Sequence, residues 1–146
     1  MMNTNLTNKL RSMKKTKKVY ISGQISGIER DVYMSRFSRV EQMLKDRGYM
    51  VVNPTMVWLS KLYTHLTKVV GHENAYRVTL LYDLWLLLRC DLIYKIPGWQ
   101  ESRGANIESC VAYHFKIWQL PTKQRERMDK RMAKMIEKQN TKNNAA

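Results

Sequence analysis

The fold is decided by LIYKIP at residues 92–97 and by SRGANIE at residues 102–108. The first stretch is rich in β-branched and aromatic residues, as a buried strand is, and the second follows a glycine turn and opens a helix. In an open α/β sheet, ligands bind at this corner, at the carboxyl end of a strand. A hydroxyl, a glycine and a carboxylate therefore lie where such a fold would bind its ligand.

Strands and helices alternate along the rest of the chain. The sequence predicts strands over 18–23, 50–53, 91–96 and 117–120, and helices over 31–47, 76–89, 104–115 and 122–138. Segment 55–74 is ambiguous, although its apolar residues have helical spacing with a break near Gly71. Alternating elements of this kind form a parallel sheet. We predict an α/β fold of three layers, a Rossmann- or flavodoxin-like parallel sheet with helices on both faces.

The length of 146 residues indicates one domain with basic ends. We place a basic arm at 1–17, the α/β domain at 18–121 and a basic C-terminal helix or tail at 122–146. The ends carry most of the net charge of +14, so the core is close to neutral. The tails are expected to make at most weak contact with nucleic acid, and a solvated tail is the commoner alternative.

Other classes of protein are disfavoured by what the chain lacks. No apolar run has the length that spans a bilayer, and the N-terminus has no signal-peptide core. We therefore expect a cytoplasmic protein that does not bind membranes. Cys90 and Cys110 are isolated, and the three histidines fit no metal motif, so we expect reduced thiols, no metal and no cofactor.

The last predicted helix has an apolar stripe of Met128, Met132, Met135 and Ile136. Such a stripe could belong to a docking or dimerisation helix, or the segment could be a partly frayed basic helix. The sequence alone does not choose between the two.

The loop after the first strand is a second candidate binding segment. Tyr20 and Ser22 precede it, and Gly23 and Gly27 flank Gln24 and Ser26. Glycines at both ends let backbone N–H groups approach an anion. The pattern matches neither the phosphate-binding P-loop nor the dinucleotide Gly-x-Gly-x-x-Gly motif, which disfavours ATP hydrolysis and NAD chemistry.

Asp83 and Glu108 are the candidate catalytic carboxylates. Asp83 interrupts an apolar helix, where a buried carboxylate without a partner is costly. Glu108 lies early in the helix that follows Gly104, where the helix dipole also suits an ordinary surface glutamate. If both face the sheet edge, they supply the pair of carboxyl groups that glycosidic bond chemistry requires. The alternative is an exposed or capping role for each.

In their order and spacing these segments resemble the nucleoside 2-deoxyribosyltransferase-like superfamily. The resemblance spans roughly residues 18–120 and includes VYISGQISG at 19–27, NP at 53–54, DLW at 83–85 and CD at 90–91, with SRGANIE at 102–108. It is strongest to small members from phages and mobile elements, of unassigned function. The chain is also similar to the 2′-deoxynucleoside 5′-monophosphate N-hydrolases.

The resemblance implies roles for three residues. Glu108 would attack the anomeric carbon and form a covalent deoxyribosyl-enzyme. Asp83 would donate a proton to the base or orient it, and Tyr20 would hold the nucleophile in position. Transfer of the sugar to a second base would make the protein a transferase, and transfer to water would make it an N-hydrolase.

The resemblance also points to a 5′-monophosphate. Serine at position 102, where transferases acting on free nucleosides carry an acid, suits a phosphate, as do Arg103, Gly104 and the Ser/Gly loop at 22–27. The loop departs from the phosphate-binding relatives because no arginine precedes Gly27. By analogy with relatives, we expect a homodimer or a larger homo-oligomer. Two other functions stay open: a non-catalytic nucleotide-binding or sensing protein, and a nucleic-acid-associated protein acting through its tails.

Overall fold

A parallel sheet forms the centre of the computed structural model, which describes residues 16–55 and 57–145. Within these residues the strands are β1 (Lys18–Ser22), β2 (Met50–Val52), β3 (Leu92–Lys95) and β4 (Trp118–Gln119). Their order is β2-β1-β3-β4 and every pairing is parallel. Tyr20 pairs with Val52 on one side and with Ile93 on the other. All four carboxyl ends therefore lie along one edge of the sheet.

Helices cover both faces of the sheet, which confirms the predicted α/β class. They are α1 (Arg30–Lys45), α2 (Val57–Val70), α3 (His72–Leu88), α4 (Arg103–His114) and α5 (Thr122–Ala145), with a 3₁₀ turn at Trp99–Glu101. Helices α1 and α5 contribute to the core on one face, and α3 and α4 to the core on the other. The fold is Rossmann-like, with the three layers predicted from the alternation of elements.

The alternation of side chains along β1 decides which residues reach each face. Val19 and Ile21 are fully buried in the core beneath α1 and α5, whereas Tyr20 belongs to the core beneath α3 and α4. Because side chains two residues apart share a face of a strand, Ser22 projects on the same side as Tyr20. The polar end of β1 is thus directed toward α3 and α4.

Glycine and capping decide where the helices begin and end. Gly71, at φ +82°, separates α2 from α3 and resolves the ambiguous segment into two helices, and α3 begins about one turn before its predicted start. Gly48 also has a positive φ and follows the end of α1. Glu29 is the cap residue of α1, and Asp31, where the sequence predicts the helix to begin, lies in the first turn. There its charge still complements the helix dipole.

The methionine stripe of α5 packs against the chain's own core. Met128 and Met132 are fully buried beside the residues of α1, and Met135 and Ile136 pack around them. The stripe therefore neither faces a second copy nor belongs to a frayed helix. Of the predicted basic arm at 1–17, residues 1–15 lie outside the described residues.

No helix among the described residues has the length and apolarity that crossing a membrane requires.

Replacement of Met132 with alanine should destabilise the protein by roughly 2–5 kcal/mol, because it leaves a cavity between α5 and the sheet. Lys130→Ala, at an exposed site on the same helix, should change the free energy of unfolding by no more than about 0.5 kcal/mol. Urea denaturation of the three proteins measures this difference. Equal stability of both variants would mean that α5 is not part of the cooperative fold.

Candidate active site

The strand order creates a crevice between β1 and β3. The chain leaves β1 for β2 on one side, and later returns to β3 on the other side of β1. In open α/β sheets, ligands bind at such a reversal, outside the carboxyl ends of the strands. Asp91 fixes the opposite edge, since its carboxylate accepts a hydrogen bond from the backbone N–H of Lys18 at 2.9 Å.

Glu108 lies at the crevice with its carboxylate held by two hydroxyl groups. The Tyr20 hydroxyl donates to Oε1 at 2.8 Å and the Ser22 hydroxyl donates to Oε2 at 2.5 Å. Tyr20 and Ser22 share a face of β1, and α4 brings Glu108 over that face. Only 6% of Glu108 is exposed. The predicted pair of Tyr20 and Glu108 is thus in direct contact, and Ser22 joins it.

The surroundings of Glu108 act on its pKa in opposite directions. Burial raises the pKa of the carboxyl to about 7, although the hydrogen bonds from Ser22 and Tyr20 stabilise the ionised form and lower it. Burial and the neighbouring Glu108 carboxylate raise the pKa of Tyr20 well above its ordinary value, so its hydroxyl keeps its proton as a donor. Near neutral pH, Glu108 therefore titrates between an acid and a carboxylate with two fixed donors.

Asp83 on α3 lies close enough for the charge of Glu108 to affect it. Its Oδ1 is buried and has no hydrogen-bond partner among residues 16–55 and 57–145. Burial, and next the charge of Glu108, raise the pKa of Asp83 to about 8. The pair therefore loses its first proton mainly from Glu108, and Asp83 keeps its proton at neutral pH. Two neighbouring carboxyl groups, of which one ionises before the other, are the pattern of a nucleophile or base beside a general acid.

Tyr76 is a site residue that the sequence analysis missed. Its hydroxyl is buried and unpartnered among the described residues, and the Arg103 guanidinium lies 5.7 Å from its ring centroid. The pKa of Tyr76 is raised overall. Burial is the largest cause, Arg103 acts in the opposite direction, and the charges of Glu108 and Asp83 add to the increase. A separation of seven residues puts Tyr76 and Asp83 two turns apart on one face of α3, and this spacing could have revealed it.

The start of α4 borders Tyr76. Ser102 is the N-cap of α4, with its Oγ accepting the backbone N–H of Ala105 at 3.2 Å. A Cβ atom on Gly104 would lie 3.6 Å from the Tyr76 hydroxyl and 3.9 Å from Ser102 Oγ. The structure thus brings Ser102, Arg103 and Gly104 together with Tyr76, at a helix N-terminus whose first N–H groups favour an anion.

The loop at 23–27 does not lie beside Glu108 and instead packs on the α1 side of the sheet. A Cβ atom on Gly23 would meet the Ile96 and Phe37 side chains at 3.1–3.2 Å, so Gly23 is closely packed on the α1 side. Gln24 and Gly27 line a cleft beside α1 and α5, and Ser26 is exposed. Of the residues predicted to bind phosphate, Ser22 contacts Glu108, while Gln24 and Gly27 face away from it.

No group of three or more His, Cys, Asp or Glu side chains in the part of the chain that the structure describes is arranged to hold a metal ion.

The fold and the site define a Rossmann-like α/β protein with a buried, hydroxyl-bound carboxylate at the switch point of its sheet. Residues 17–118 match the model of the DUF4406 family, a domain of unknown function, and the chain belongs to that family. No curated protein and no solved structure matches the chain. The matched range contains Tyr20, Asp83 and Glu108 and ends before α5. Membership of the nucleoside 2-deoxyribosyltransferase-like superfamily stays a prediction.

Asp83→Asn should gain stability over the wild type progressively as the pH rises from about 4, with a small gain at pH 5 and the largest gain above pH 8. The pKa of Asp83 rises from 3.8 to about 8 on folding and that of Glu108 from 4.5 to about 7. A carboxyl group whose pKa is raised by folding stabilises the folded protein below about pH 4. This contribution to the free energy of unfolding is lost as the pH rises through the pKa of the folded state. Asparagine never ionises, so the variant should gain on the order of 1–3 kcal/mol at pH 8.5, after allowance for partial exposure.

Urea denaturation at pH 5 and pH 8.5 measures the effect, with Glu126→Gln, an exposed carboxylate on α5, as the control. The control should leave the pH dependence of stability unchanged. An Asp83→Asn protein whose stability falls with pH as steeply as the wild type would contradict the assignment of a buried acid at this position.

Proposed function

We propose that this protein cleaves or transfers the N-glycosidic bond of (deoxy)nucleoside 5′-monophosphates through a covalent glycosyl-Glu108 intermediate. One observation carries the proposal: a buried carboxylate, held at both oxygens by Tyr20 and Ser22, lies beside a second carboxyl group that keeps its proton at neutral pH. A retaining glycosidase needs these two groups in these two states.

In the first step, an ionised Glu108 oxygen attacks the anomeric carbon of the sugar. The bond between that carbon and the base nitrogen breaks, and the electron pair goes to the base. Asp83 gives its proton to the departing base, so the base leaves neutral and Asp83 becomes a carboxylate. Tyr20 and Ser22 fix the direction of the attacking oxygen, which is the orientation effect that makes such a displacement fast.

In the second step, water or another base attacks the same carbon and releases Glu108. The Asp83 carboxylate accepts the proton of the incoming nucleophile, which restores the starting protonation of both groups. With water the product is a sugar phosphate and the protein is an N-hydrolase. With a second base the product is a new nucleotide and the protein is a transferase.

The N-terminus of α4 is the proposed subsite for the 5′-phosphate. Ser102 can donate its hydroxyl hydrogen while its oxygen caps the helix, and the guanidinium of the exposed Arg103 lies nearby over the Tyr76 ring. The glycine at 104 leaves the space above the Tyr76 hydroxyl open. The unpartnered Tyr76 hydroxyl is a further donor or acceptor for the sugar or its phosphate. A cation, hydroxyls and helix N–H groups together favour a phosphate over a neutral 5′-hydroxyl.

Glu108→Gln should lower base release by about 10³-fold or more, because the amide cannot form the glycosyl ester. Asp83→Asn should lower it by about 10²–10⁴-fold through loss of the proton donor. Chromatography of free base, from a panel of deoxynucleosides, ribonucleosides and their 5′-monophosphates, measures both. Glu101→Gln, an exposed acid just before α4, is the matched control and should keep wild-type activity.

The same assay against pH separates the two roles. The rate should fall below about pH 7 as Glu108 takes up a proton, and above about pH 8 as Asp83 loses one. Residual activity of Asp83→Asn should keep the acidic limb and lose the alkaline one. Unchanged release by Glu108→Gln would contradict the proposal.

The panel also tests the alternative functions. Nucleotide binding without release from any substrate would favour a binding or sensing protein. Several lysines and arginines of α5 are exposed, so nucleic acid could bind there. Binding of that kind would weaken steeply with salt and would not respond to Glu108→Gln.

A second copy of the chain is the proposed partner of α3. Leu81 is 67% exposed and lies with Trp85 and Leu88 on a helix that carries Asp83 on another side, and Tyr113, Phe115 and Trp118 are also exposed. Large exposed apolar patches mark interaction surfaces. A dimer formed there would shield α3 and stiffen the helix that holds Asp83 and Tyr76.

Leu81→Glu should convert a dimer into a monomer, because it places a charge in the apolar contact. Multi-angle light scattering at a series of protein concentrations measures the mass. Met50→Glu puts the same charge at an exposed residue of β2 and should leave the mass unchanged. A wild type that is monomeric at every concentration would refute the dimer.

A further inference from the structure

A cleft of about 400 Å³ lies between α1 and α5, at the carboxyl edge of the sheet but on the face opposite Glu108. Its lining comes from the loop after β1, the Pro97–Gly98 turn after β3, and the facing sides of the two helices. Gly23, just before the cleft-lining Gln24, is packed on Ile96 and Phe37. The volume is in the range of small-molecule sites, roughly 300–1,000 Å³.

Arg36 is the buried member of this lining and is held in a fixed position. It is 8% exposed, whereas the other described lining residues are half-buried or exposed. Its Nε–H donates to Oε1 of Gln139 on α5 at 2.8 Å, and Nε2 of Gln139 donates to the Ser35 hydroxyl at 2.8 Å. This chain of hydrogen bonds orients the side chain through Nε.

The charge of Arg36 has no counter-ion in the described part of the chain. Among residues 16–55 and 57–145, no carboxylate lies within ion-pair distance of its guanidinium, and Glu29, at the rim of the cleft, is exposed. Burying a charge without a partner is costly, and proteins normally pair such a group or bind an ion to it. Around Arg36 the lining offers the amides of Gln24 and Asn140 and the apolar side chains of Val32 and Ile136.

We propose that this cleft is a second ligand site, which binds a small organic oxyanion, a phosphate or a carboxylate, with Arg36 as its anchor. A guanidinium presents parallel N–H groups that match either oxyanion in a bidentate contact. The amides supply further hydrogen bonds and the apolar walls accept the body of the ligand. The proposal does not rest on the chemistry of Glu108, which lies on the other face of the sheet.

Titration of the full chain with inorganic phosphate and with malonate, at constant ionic strength set by sodium chloride, tests the site. The backbone amide resonances of Gly27 and Gly98, which line the cleft, report binding. We expect a saturable shift of both resonances with at least one of the anions. The anion that binds more tightly tells whether the natural ligand carries a phosphate or a carboxylate.

Arg36→Gln should raise the dissociation constant on the order of tenfold to a hundredfold, because hydrogen bonds from a charged donor contribute about that much affinity. Arg39→Gln makes the same charge change at an exposed site of α1 and should alter the affinity less than about twofold. Asn140→Asp leaves Arg36 in place and adds a carboxylate at the cleft, so it should also weaken binding. This variant keeps the test decisive if Arg36→Gln does not fold.

Two further results separate this site from the proposed active site. Glu108→Gln should lose base release but bind the anions as the wild type does, with the same shifts of the Gly27 and Gly98 amide resonances. Arg36→Met should melt at a higher temperature than the wild type in dilute chloride buffer, because it removes an uncompensated buried charge. No saturable shift with either anion, or equal affinity in Arg36→Gln and Arg39→Gln, would overturn the proposal.

Discussion

The burial of the Glu108 carboxylate is the constraint on which the arrangement of the site depends. A carboxylate removed from water must find hydrogen-bond donors, and Glu108 finds one for each oxygen in Tyr20 and Ser22. Because both donors belong to β1, the two bonds fix α4 against the end of that strand. The Ser102 cap then determines where α4 begins, and with it the position of the helix N-terminus beside Tyr76. The site is thus a consequence of how one buried charge is satisfied.

The pleat of β1 divides the polar edge of the sheet into two unlike environments. Tyr20 and Ser22 point toward α3 and α4, where the acids Glu108 and Asp83 are buried and Arg103 lies at the start of α4. The loop that follows Gly23 turns toward α1 and α5, where Arg36 is the buried charge. Under the proposed function, the two acids suit the positive charge that develops at an anomeric carbon in a glycosyl transition state, whereas the buried Arg36 suits an anion. The two acids and the buried Arg36 therefore lie on opposite faces of the same sheet edge.

Periodicity and glycine positions were enough to predict the class of fold, the strands and most helix boundaries, because these depend on local sequence. The resemblance implied that Tyr20 lies next to Glu108, and the two side chains are hydrogen-bonded. Two features could not be read in this way, because they depend on which elements meet in space. Periodicity revealed the stripe of α5 but not that the chain's own core would cover Met128 and Met132. The loop at 23–27 gave no sign that Gln24 would line a cleft with Arg36.

The two acids make the strongest argument that this edge of the sheet has a chemical role. No basic side chain among the described residues forms an ion pair with Asp83 or Glu108, and each acid is destabilised by burial. In addition, the buried Oδ1 of Asp83 has no hydrogen-bond partner among the described residues. An apolar side chain at that position of α3 would stabilise the protein by removing an unsatisfied buried group. Asp83 thus has no described partner at its buried oxygen and is kept protonated by burial and by the charge of Glu108, which suits the proton donor that the proposed function requires.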